Sequence, residues 1–175
     1  MNQIPKLLLN TFRKYDTPTI VNSLELLDSK FRTSCFTTEQ MICVDTTLPP
    51  IVGYARTATI SASSEVDPNT KRDRSLAYYE YVSSGTGPCI SVIQDVDESP
   101  GFGSFRAEVN SNIQNALGRF GVVTNGSVRD LDVLAAGFQV LAGKIGPGHA
   151  YVRIEETGIP VNIFGMNVQH NDLIH

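Results

Sequence analysis

The alternation of local patterns within AEVNSNIQNALGRFGVVTNGSVRDLDVLAAG (residues 107–137) decides the fold class of this chain. Apolar residues recur at helical spacing over 107–120, which predicts a helix. Residues 121–124 are mostly apolar, as is typical of a short buried strand. Asn-Gly-Ser at 125–127 predicts a turn, and 129–137 predict a second helix that ends at its final glycine. A helix, a strand and a helix in such close succession indicate an α/β domain.

The same alternation extends to both sides of this stretch. Further helices are predicted at 5–14, 19–28 and 67–84, and strands at 51–62, 88–96, 138–143, 149–156, 158–165 and 172–175. The triplet Asp16-Thr17-Pro18 is a start signal for the second helix. We therefore expect one α/β domain over residues 1–175, with a central mixed sheet flanked by helices. Its centre should be mainly parallel and its C-terminal part more antiparallel.

Composition excludes several classes of protein. The 175 residues, 41% of them hydrophobic, suffice for one domain with a substantial core. The net charge of −4, without a run of basic residues, argues against binding to a nucleic-acid backbone. The chain contains no apolar run long enough to cross a membrane and no convincing secretory signal. Its three cysteines lack metal-site spacing and are expected to be reduced, which favours a cytoplasmic location.

Charged residues follow two strands whose carboxyl ends should meet at one edge of the sheet. Glu108 stands at a helix start, where free backbone N–H groups can bind a carboxylate. The planar fork of Arg129 also suits a carboxylate. Asp130 can bind a hard divalent cation, with water and substrate oxygens as further ligands. Together these groups suit a 2-oxo acid that is chelated and cleaved to an enolate.

Each of these residues also has an ordinary structural interpretation. Glu108 and Asp130 can be acids in the first turn of a helix, where they favour the helix dipole. Arg129 can form a surface ion pair. His149 is expected to be a packed histidine at a strand start, and Asp95 and Asp97 are expected to be solvated loop residues. Only the combination favours a site.

Glu108, twenty intervening residues and Arg129-Asp130 form a pattern that resembles the acid-X20-Arg-Asp motif of the RraA-like family. The resemblance covers residues 15–175. The family includes divalent-metal pyruvate aldolases that act on 4-hydroxy-4-methyl-2-oxoglutarate and related acids. Other segments that resemble this family, in order, are YDTPTIVNSLELL, IVGYARTATI, AYYEYVSSGTGPCISVIQDVD, GVVTNGSVRDLDVL, GHAYVRI and PVNIFGMNVQHNDLIH.

The resemblance implies a class II aldolase mechanism. Asp130 would bind Mg²⁺ or Mn²⁺, and Glu108 would hold a metal-bound water that carries a proton. Arg129 would bind pyruvate and stabilise its enolate, while backbone N–H groups near Val109 and Asn110 would hold the pyruvate carboxylate. The same site could decarboxylate oxaloacetate, because both reactions pass through the pyruvate enolate. The resemblance also implies a small 2-oxo acid as substrate and a homotrimer or hexamer with active sites at subunit boundaries.

The same family contains proteins of another class, namely regulators that bind ribonuclease E without catalysis. These regulators tend to lack the aspartate after the motif arginine. The presence of Asp130 therefore favours the metal enzyme over the regulator.

The chain departs from the family pattern at several positions. Arg106 and Ala107 precede the motif acid where the family usually has glycine directly before it, so an extra positive charge lies near the predicted site. Asn125 replaces a common aspartate, and Val133 stands where many members have an acid. Relatives continue with a further strand beyond His175, so the domain is expected to lack a C-terminal strand.

Overall fold

A mixed eight-stranded sheet is the centre of the fold. The computed structural model describes residues 4–85, 87–106 and 108–175, without the side chains of residues 106, 108 and 109. The strands are β1 (Ile42–Cys43), β2 (Gly53–Ser61), β3 (Cys89–Asp95), β4 (Ser104–Arg106), β5 (Arg119–Val128), β6 (Gln139–Ile145), β7 (Arg153–Thr157), β8 (Val161–Ile163), β9 (Met166–Val168) and β10 (Leu173–Ile174). The helices are α1 (Lys6–Phe12), α2 (Thr17–Leu27), α3 (Pro68–Ser83) and α4 (Glu108–Ala116), with 3-10 turns at Ser29–Arg32 and Leu131–Val133.

The predicted parallel centre with antiparallel additions is confirmed. The strand order is β1-β6-β5-β3-β2-β10, and β6, β5, β3 and β2 run parallel. Strands β1, β7 and β10 pair antiparallel with this centre, and β4 pairs with the end of β5. The carboxyl ends of the central strands therefore share one edge, where ligands tend to bind in such sheets.

Both faces of the central strands are buried, because neighbouring residues point to opposite sides. Ile93 and Val122 belong to the core on the side of α3, which contains Tyr78. Val92 and Val123 belong to the core on the opposite side, which the β8–β9 hairpin covers. Such double burial is typical of parallel strands and accounts for their nearly continuous apolar sequences.

The N-terminal boundaries of two helices follow from capping residues, and the one at Asp16 was predicted. The Asp16 carboxylate accepts a hydrogen bond from the Thr19 backbone N–H (2.8 Å) at the start of α2. Asp67 accepts one from the Thr70 N–H (2.9 Å) at the start of α3, where Pro68 follows. These bonds satisfy N–H groups that the helix itself cannot pair.

The predicted turn at 125–127 and the predicted helix at 129–137 are wrong. Strand β5 continues to Val128 through a bulge between Thr124 and Ser127. Asn125 does not form a turn there, because its side chain accepts a hydrogen bond from the Asp95 N–H (2.7 Å) and donates one to the Asp95 carbonyl (3.1 Å). Beyond β5 only the short 3-10 turn forms.

Two further boundaries differ from the prediction. Helix α4 ends at Ala116 rather than residue 120, because Gly118 adopts a left-handed conformation (φ 73°) that terminates helices. The strand predicted at 158–165 is instead the first half of the β8–β9 hairpin. Phe164 and Gly165 both have positive φ values, as a two-residue hairpin turn requires.

The bulge in β5 brings its backbone close to β6 at Gly143. A Cβ atom built on Gly143 would lie 2.3 Å from the Asn125 carbonyl oxygen. We expect Gly143→Ala to lower the free energy of unfolding by about 1–3 kcal/mol, because the two strands would have to move apart. Gly148→Ala is the matched control, since a Cβ there meets nothing within 4 Å. Urea unfolding of both variants checks this, and equal stability of the two would contradict it.

No described helix combines the length and apolar character needed to span a membrane.

Candidate functional site

The pairing of β4 with β5 brings the two parts of the predicted motif to the same edge of the sheet. Arg106 lies opposite Val128 in this parallel pair, and paired strands are about 4.8 Å apart. Glu108 begins α4 two residues after Arg106, while Arg129 and Asp130 directly follow Val128. Residues separated by twenty positions in the chain are thus close in the fold. The side chains of Glu108 and Val109 lie outside the described part of the chain.

Buried serine hydroxyls fix this junction. The Oγ atoms of Ser104 and Ser127 lie 2.9 Å apart, and Ser104 Oγ donates to the Gly146 carbonyl at 2.9 Å. The Gly146 N–H in turn donates to the Val128 carbonyl at 3.0 Å. Both serines are almost fully buried. These bonds join β4, β5 and the loop after β6, so the segments that carry the candidate site form one rigid unit.

Arg129 and Asp130 form an ion pair at the carboxyl end of β5. Arg129 Nε lies 3.1 Å from Asp130 Oδ2, although the Nε–H is not directed for a hydrogen bond. Arg129 Nη1 donates to the Pro147 carbonyl at 3.2 Å. The side chains are 30% and 40% exposed, respectively. A guanidinium and a carboxylate that are held in place and still reach solvent can bind an anion and a cation, respectively.

The backbone of Asp130 distinguishes it from an ordinary helix-start acid. Its φ of 55° lies in the left-handed region, and its side chain accepts no capping hydrogen bond from the 3-10 turn that follows. Aspartate adopts this conformation more readily than most residues other than glycine, so the missing capping bond is what sets Asp130 apart. The structure therefore removes the capping interpretation of Asp130.

The side chain of Asn110 is used within the protein. Tyr79 Oη donates to Asn110 Oδ1 at 2.5 Å, and Asn110 Nδ2 donates to the Phe105 carbonyl at 2.8 Å. These bonds anchor the first turn of α4 against α3 and β4. The prediction for Asn110 is that its backbone N–H binds the pyruvate carboxylate. This N–H lies in the first turn of α4, where N–H groups have no partner within the helix.

A cleft of about 330 Å³ lies beside Asn110. Its walls come from α3, the β4–α4 junction and the loop before β7, and the lining residues are Lys71, Ser75, Tyr79, Phe105, Asn110, His149 and Val152. The interpretation of His149 as a packed strand-start residue is wrong, because it is exposed and β7 begins only at Arg153. His149 Nδ1 lies 3.1 Å from the Ser104 carbonyl, which can only accept. Nδ1 is therefore the donor of this hydrogen bond.

Lys71 is a cleft residue that the sequence reasoning did not identify. It lies on α3, remote in sequence from both parts of the motif. A solvated lysine in an ordinary helix carries no local pattern that would indicate such a position.

Asp95 and Asp97 are structural rather than solvated, contrary to the prediction. Asp95 is buried and accepts hydrogen bonds from the Gly101 N–H (2.7 Å) and the Asp97 N–H (3.1 Å). Burial raises the pKa of the Asp95 carboxyl above its ordinary value. Asp97 is only partly buried and accepts hydrogen bonds from the hydroxyls of Ser61 (2.6 Å) and Ser63 (2.8 Å). It also accepts one from a backbone N–H, so both acids hold the loop that leads to the site.

The pKa of Asp97 yields a testable pH dependence. Partial burial alone would raise this pKa, but the hydrogen bonds from Ser61 and Ser63 hold it below the ordinary value. A lowered pKa in the folded state means that ionised Asp97 stabilises the fold above the unfolded pKa, and that this contribution is lost as pH falls through the folded pKa. We expect Asp97→Asn to reduce the free energy of unfolding by about 1–3 kcal/mol at pH 7.

The difference between Asp97→Asn and wild type should shrink as the pH falls below 3.8, the ordinary value for aspartate. Urea unfolding at several pH values measures it, with exposed Glu98→Gln as control. If the difference in the free energy of unfolding between wild type and Asp97→Asn stayed constant at all acidic pH values, the charge of Asp97 would not be the cause of its stabilising effect.

Asp130 is the described carboxylate best placed for a cation. No cluster of three or more histidine, cysteine, aspartate or glutamate side chains suited to a metal occurs among the described residues. A single exposed carboxylate is nevertheless sufficient for Mg²⁺, which often keeps several waters and binds through one or two carboxylates and the substrate. The uncapped and partly exposed carboxylate of Asp130 fits this kind of site.

Comparison with known families identifies one match. A family model named RraA-like and described as Aldolase/RraA matches residues 17–175. Curated proteins provide no match to this chain.

Several solved structures share the fold. One protein, described as a novel cellulase from microbes of the gut ecosystem, has a TM-score of 0.79 at 14% identity and covers 99% of this chain and 74% of its own. An uncharacterized protein from Pseudomonas syringae pv. tomato has a TM-score of 0.72 at 16% identity, with coverages of 98% and 73%. Streptomyces coelicolor RraAS2, an unusual member of the RNase ES inhibitor RraA family, has a TM-score of 0.71 at 18% identity, with coverages of 99% and 81%. At these identities the similarity establishes the fold alone.

Proposed function

Because the chain belongs to the RraA-like family, which includes aldolases as well as RNase E regulators, we propose that it is a divalent-metal-dependent class II pyruvate aldolase. Its substrates would be acids of the 4-hydroxy-4-methyl-2-oxoglutarate type, with oxaloacetate decarboxylation as a second reaction. The observation that carries the proposal is the left-handed, uncapped Asp130 beside Arg129. Regulators of this family tend to lack that aspartate.

Asp130 would hold Mg²⁺ or Mn²⁺, and Glu108 is assigned to the same ion through water. When bound, the ion supplies a Lewis acid that polarises the carbonyl oxygen of the 2-oxo acid. Its binding would also compete with Arg129 for the Asp130 carboxylate, 3.1 Å from Nε. The guanidinium would then lose its ion-pair partner, while Nη1 keeps its hydrogen bond to the Pro147 carbonyl.

Arg129 is proposed to bind the pyruvate unit and stabilise the enolate. In the cleavage, the 4-hydroxyl loses its proton and the C3–C4 bond breaks. The 4-oxygen forms a carbonyl group with C4, which leaves as a second 2-oxo acid. The electron pair of the C3–C4 bond moves onto the pyruvate unit, which becomes the enolate, and C3 then takes up a proton to give pyruvate. A guanidinium aimed at the developing negative charge lowers the barrier, because its position costs no reorganisation. The Pro147 carbonyl that anchors Nη1 supplies this fixed position.

The first turn of α4 is assigned to the substrate carboxylate. The backbone N–H groups near Val109 and Asn110 would bind it, as N–H groups at helix starts do. The Asn110 side chain, bonded to Tyr79 and the Phe105 carbonyl, holds that turn in place. The proton removed from the 4-hydroxyl would pass to the water held by Glu108.

Pyruvate release tests the proposed function. The purified full chain is incubated with 4-hydroxy-4-methyl-2-oxoglutarate or oxaloacetate, with Mg²⁺, with Mn²⁺ or with chelator. We expect release only with metal, above the rate that the metal alone gives with oxaloacetate. The mass of the particle in solution should correspond to a trimer or hexamer.

No release from folded, metal-supplemented protein with either acid would contradict the aldolase. If the same protein then bound ribonuclease E in a purified pull-down, the regulator would replace the aldolase as the assigned function.

A further inference from the structure

Two arginines are buried at the amino edge of the sheet, opposite the candidate active site. Arg56 in β2 is 6% exposed and Arg119, the first residue of β5, is 3% exposed. Arg129 follows the other end of β5, so the strand separates the two places by its full length. The buried pair belongs to no site described above.

Both guanidinium groups converge on the backbone of Gly85, just after α3. A Cβ atom built on Gly85 would lie 2.5 Å from Arg56 Nε, 2.6 Å from Arg56 Nη2 and 2.8 Å from Arg119 Nη1. Nitrogen atoms of two positively charged groups thus lie close to the same backbone position. The two guanidinium groups can approach residue 85 this closely because it has no side chain.

The groups that accept hydrogen bonds from the two arginines carry no negative charge. Arg56 Nη1 donates to His170 Nε2 (2.9 Å) and Asn171 Oδ1 (3.0 Å), and Arg119 Nε donates to the Leu117 carbonyl (3.0 Å). Burial and the nearby Arg56 lower the pKa of His170, which keeps its ring neutral. Arg56 Nε and Arg119 Nη1 are buried without a hydrogen-bond partner. Neither arginine forms an ion pair with a carboxylate whose position the structure describes.

Other contacts within the chain compensate only part of this charge. Arg56 Cζ lies 5.9 Å from the centre of the Tyr81 ring, at the limit of a cation–π contact. The carboxyl end of α3 contributes a partial negative charge. A formal charge that is buried without a partner is costly, and two like charges close together add repulsion. A group of full negative charge would offset both costs.

We propose that Arg56 and Arg119 form a binding site for an oxyanion, a carboxylate or a phosphate, beside Gly85. The planar forks of two arginines match the oxygen atoms of such groups. Gly85 is half-buried, and both Ser84 and Gly87 are exposed, so the site lies directly beneath the surface. The oxyanion can be a free ion or an acidic side chain of a second copy of the chain.

Inorganic phosphate is the probe for this site. Its binding to the full-length protein is measured by calorimetry and by thermal unfolding at constant ionic strength. We expect Arg119→Met and Gly85→Ala each to weaken phosphate binding at least tenfold, the first by removing a fork and the second by displacing the two guanidinium groups. Arg72→Met is the control, since Arg72 is exposed on α3 and should leave phosphate binding unchanged.

Thermal unfolding separates anion binding from a purely structural role of Arg119. Without phosphate, Arg119→Met should unfold at the wild-type temperature or above, because it removes an unpaired buried charge. With phosphate, wild type should become the more stable of the two. A variant that is less stable than wild type by the same margin in both buffers would overturn the proposal, as would phosphate binding that neither variant weakens.

The mass of the particle in solution distinguishes the two sources of the oxyanion. Phosphate that displaces an acidic side chain of a second copy should lower the mass of the wild-type particle. A site for free oxyanions should leave the mass unchanged. Wild type that neither binds phosphate nor changes in mass would contradict both.

Discussion

Asp130→Asn should reduce metal-dependent pyruvate release by at least about a hundredfold. Loss of a residue that only hydrogen-bonds to a metal ligand already costs up to about a hundredfold, and Asp130 is proposed to be a ligand itself. Asparagine has nearly the same shape and tolerates the left-handed conformation that Asp130 adopts (φ 55°), so this variant removes charge without adding backbone strain. The loss should appear with both acids and be only partly reversed by raising the Mn²⁺ concentration, because a neutral amide is a poor ligand for a hard cation.

Asp132→Asn is the matched control for this variant. Asp132 is exposed two residues further along the same 3-10 turn. It should retain wild-type release and the same unfolding temperature. Full activity of Asp130→Asn, or equal losses in both variants, would show that Asp130 is not the metal ligand.

Arg129→Met should lower kcat by about a hundredfold to a thousandfold, as expected for the loss of one group that stabilises an oxyanion. Metal binding should persist, because Asp130 remains and loses a competing cation 3.1 Å away. Arg129→Lys should fall between methionine and wild type, because it keeps the charge but not the fork. Steady-state kinetics with 4-hydroxy-4-methyl-2-oxoglutarate and direct Mn²⁺ titration measure the two effects separately.

Arg32→Met is the control for a general loss of positive charge. Arg32 is exposed and remote from the motif in sequence. If Arg129→Met raised KM while leaving kcat unchanged, Arg129 would bind substrate without stabilising the transition state. That outcome would leave the aldolase intact but remove the proposed role of Arg129.

Local patterns were sufficient for the central strands and for the start of α2. Period-two and continuous apolar runs indicate β2 and β3, and Asp16 marks the start of its helix. The path of β5 could not be predicted in this way. Asn-Gly-Ser normally forms a turn, but here Asn125 bonds to the backbone of Asp95, a partner thirty residues away. Tertiary pairing overrides the local preference.

The candidate site was predictable to a similar degree. The pairing of Arg106 with Val128 bears out the expectation that the two loops carrying the motif share one sheet edge. The uncapped, left-handed Asp130 was not predictable, because its neighbours Leu131 and Leu134 continue an apolar pattern typical of a helix. Nor does any local pattern show that Arg56 and Arg119, each in a buried strand, converge on Gly85.

Hydrogen–deuterium exchange of the pyruvate methyl group tests the central claim most directly, because enolate formation is observed without knowledge of the natural substrate. Pyruvate in D₂O is followed by proton NMR with wild type and Asp130→Asn, with Mg²⁺ or Mn²⁺ and with chelator. The account predicts exchange only for wild type with metal, since the enolate takes up deuterium at its methylene carbon. Absence of exchange with folded wild type at saturating metal, or exchange that Asp130→Asn retains, would contradict it.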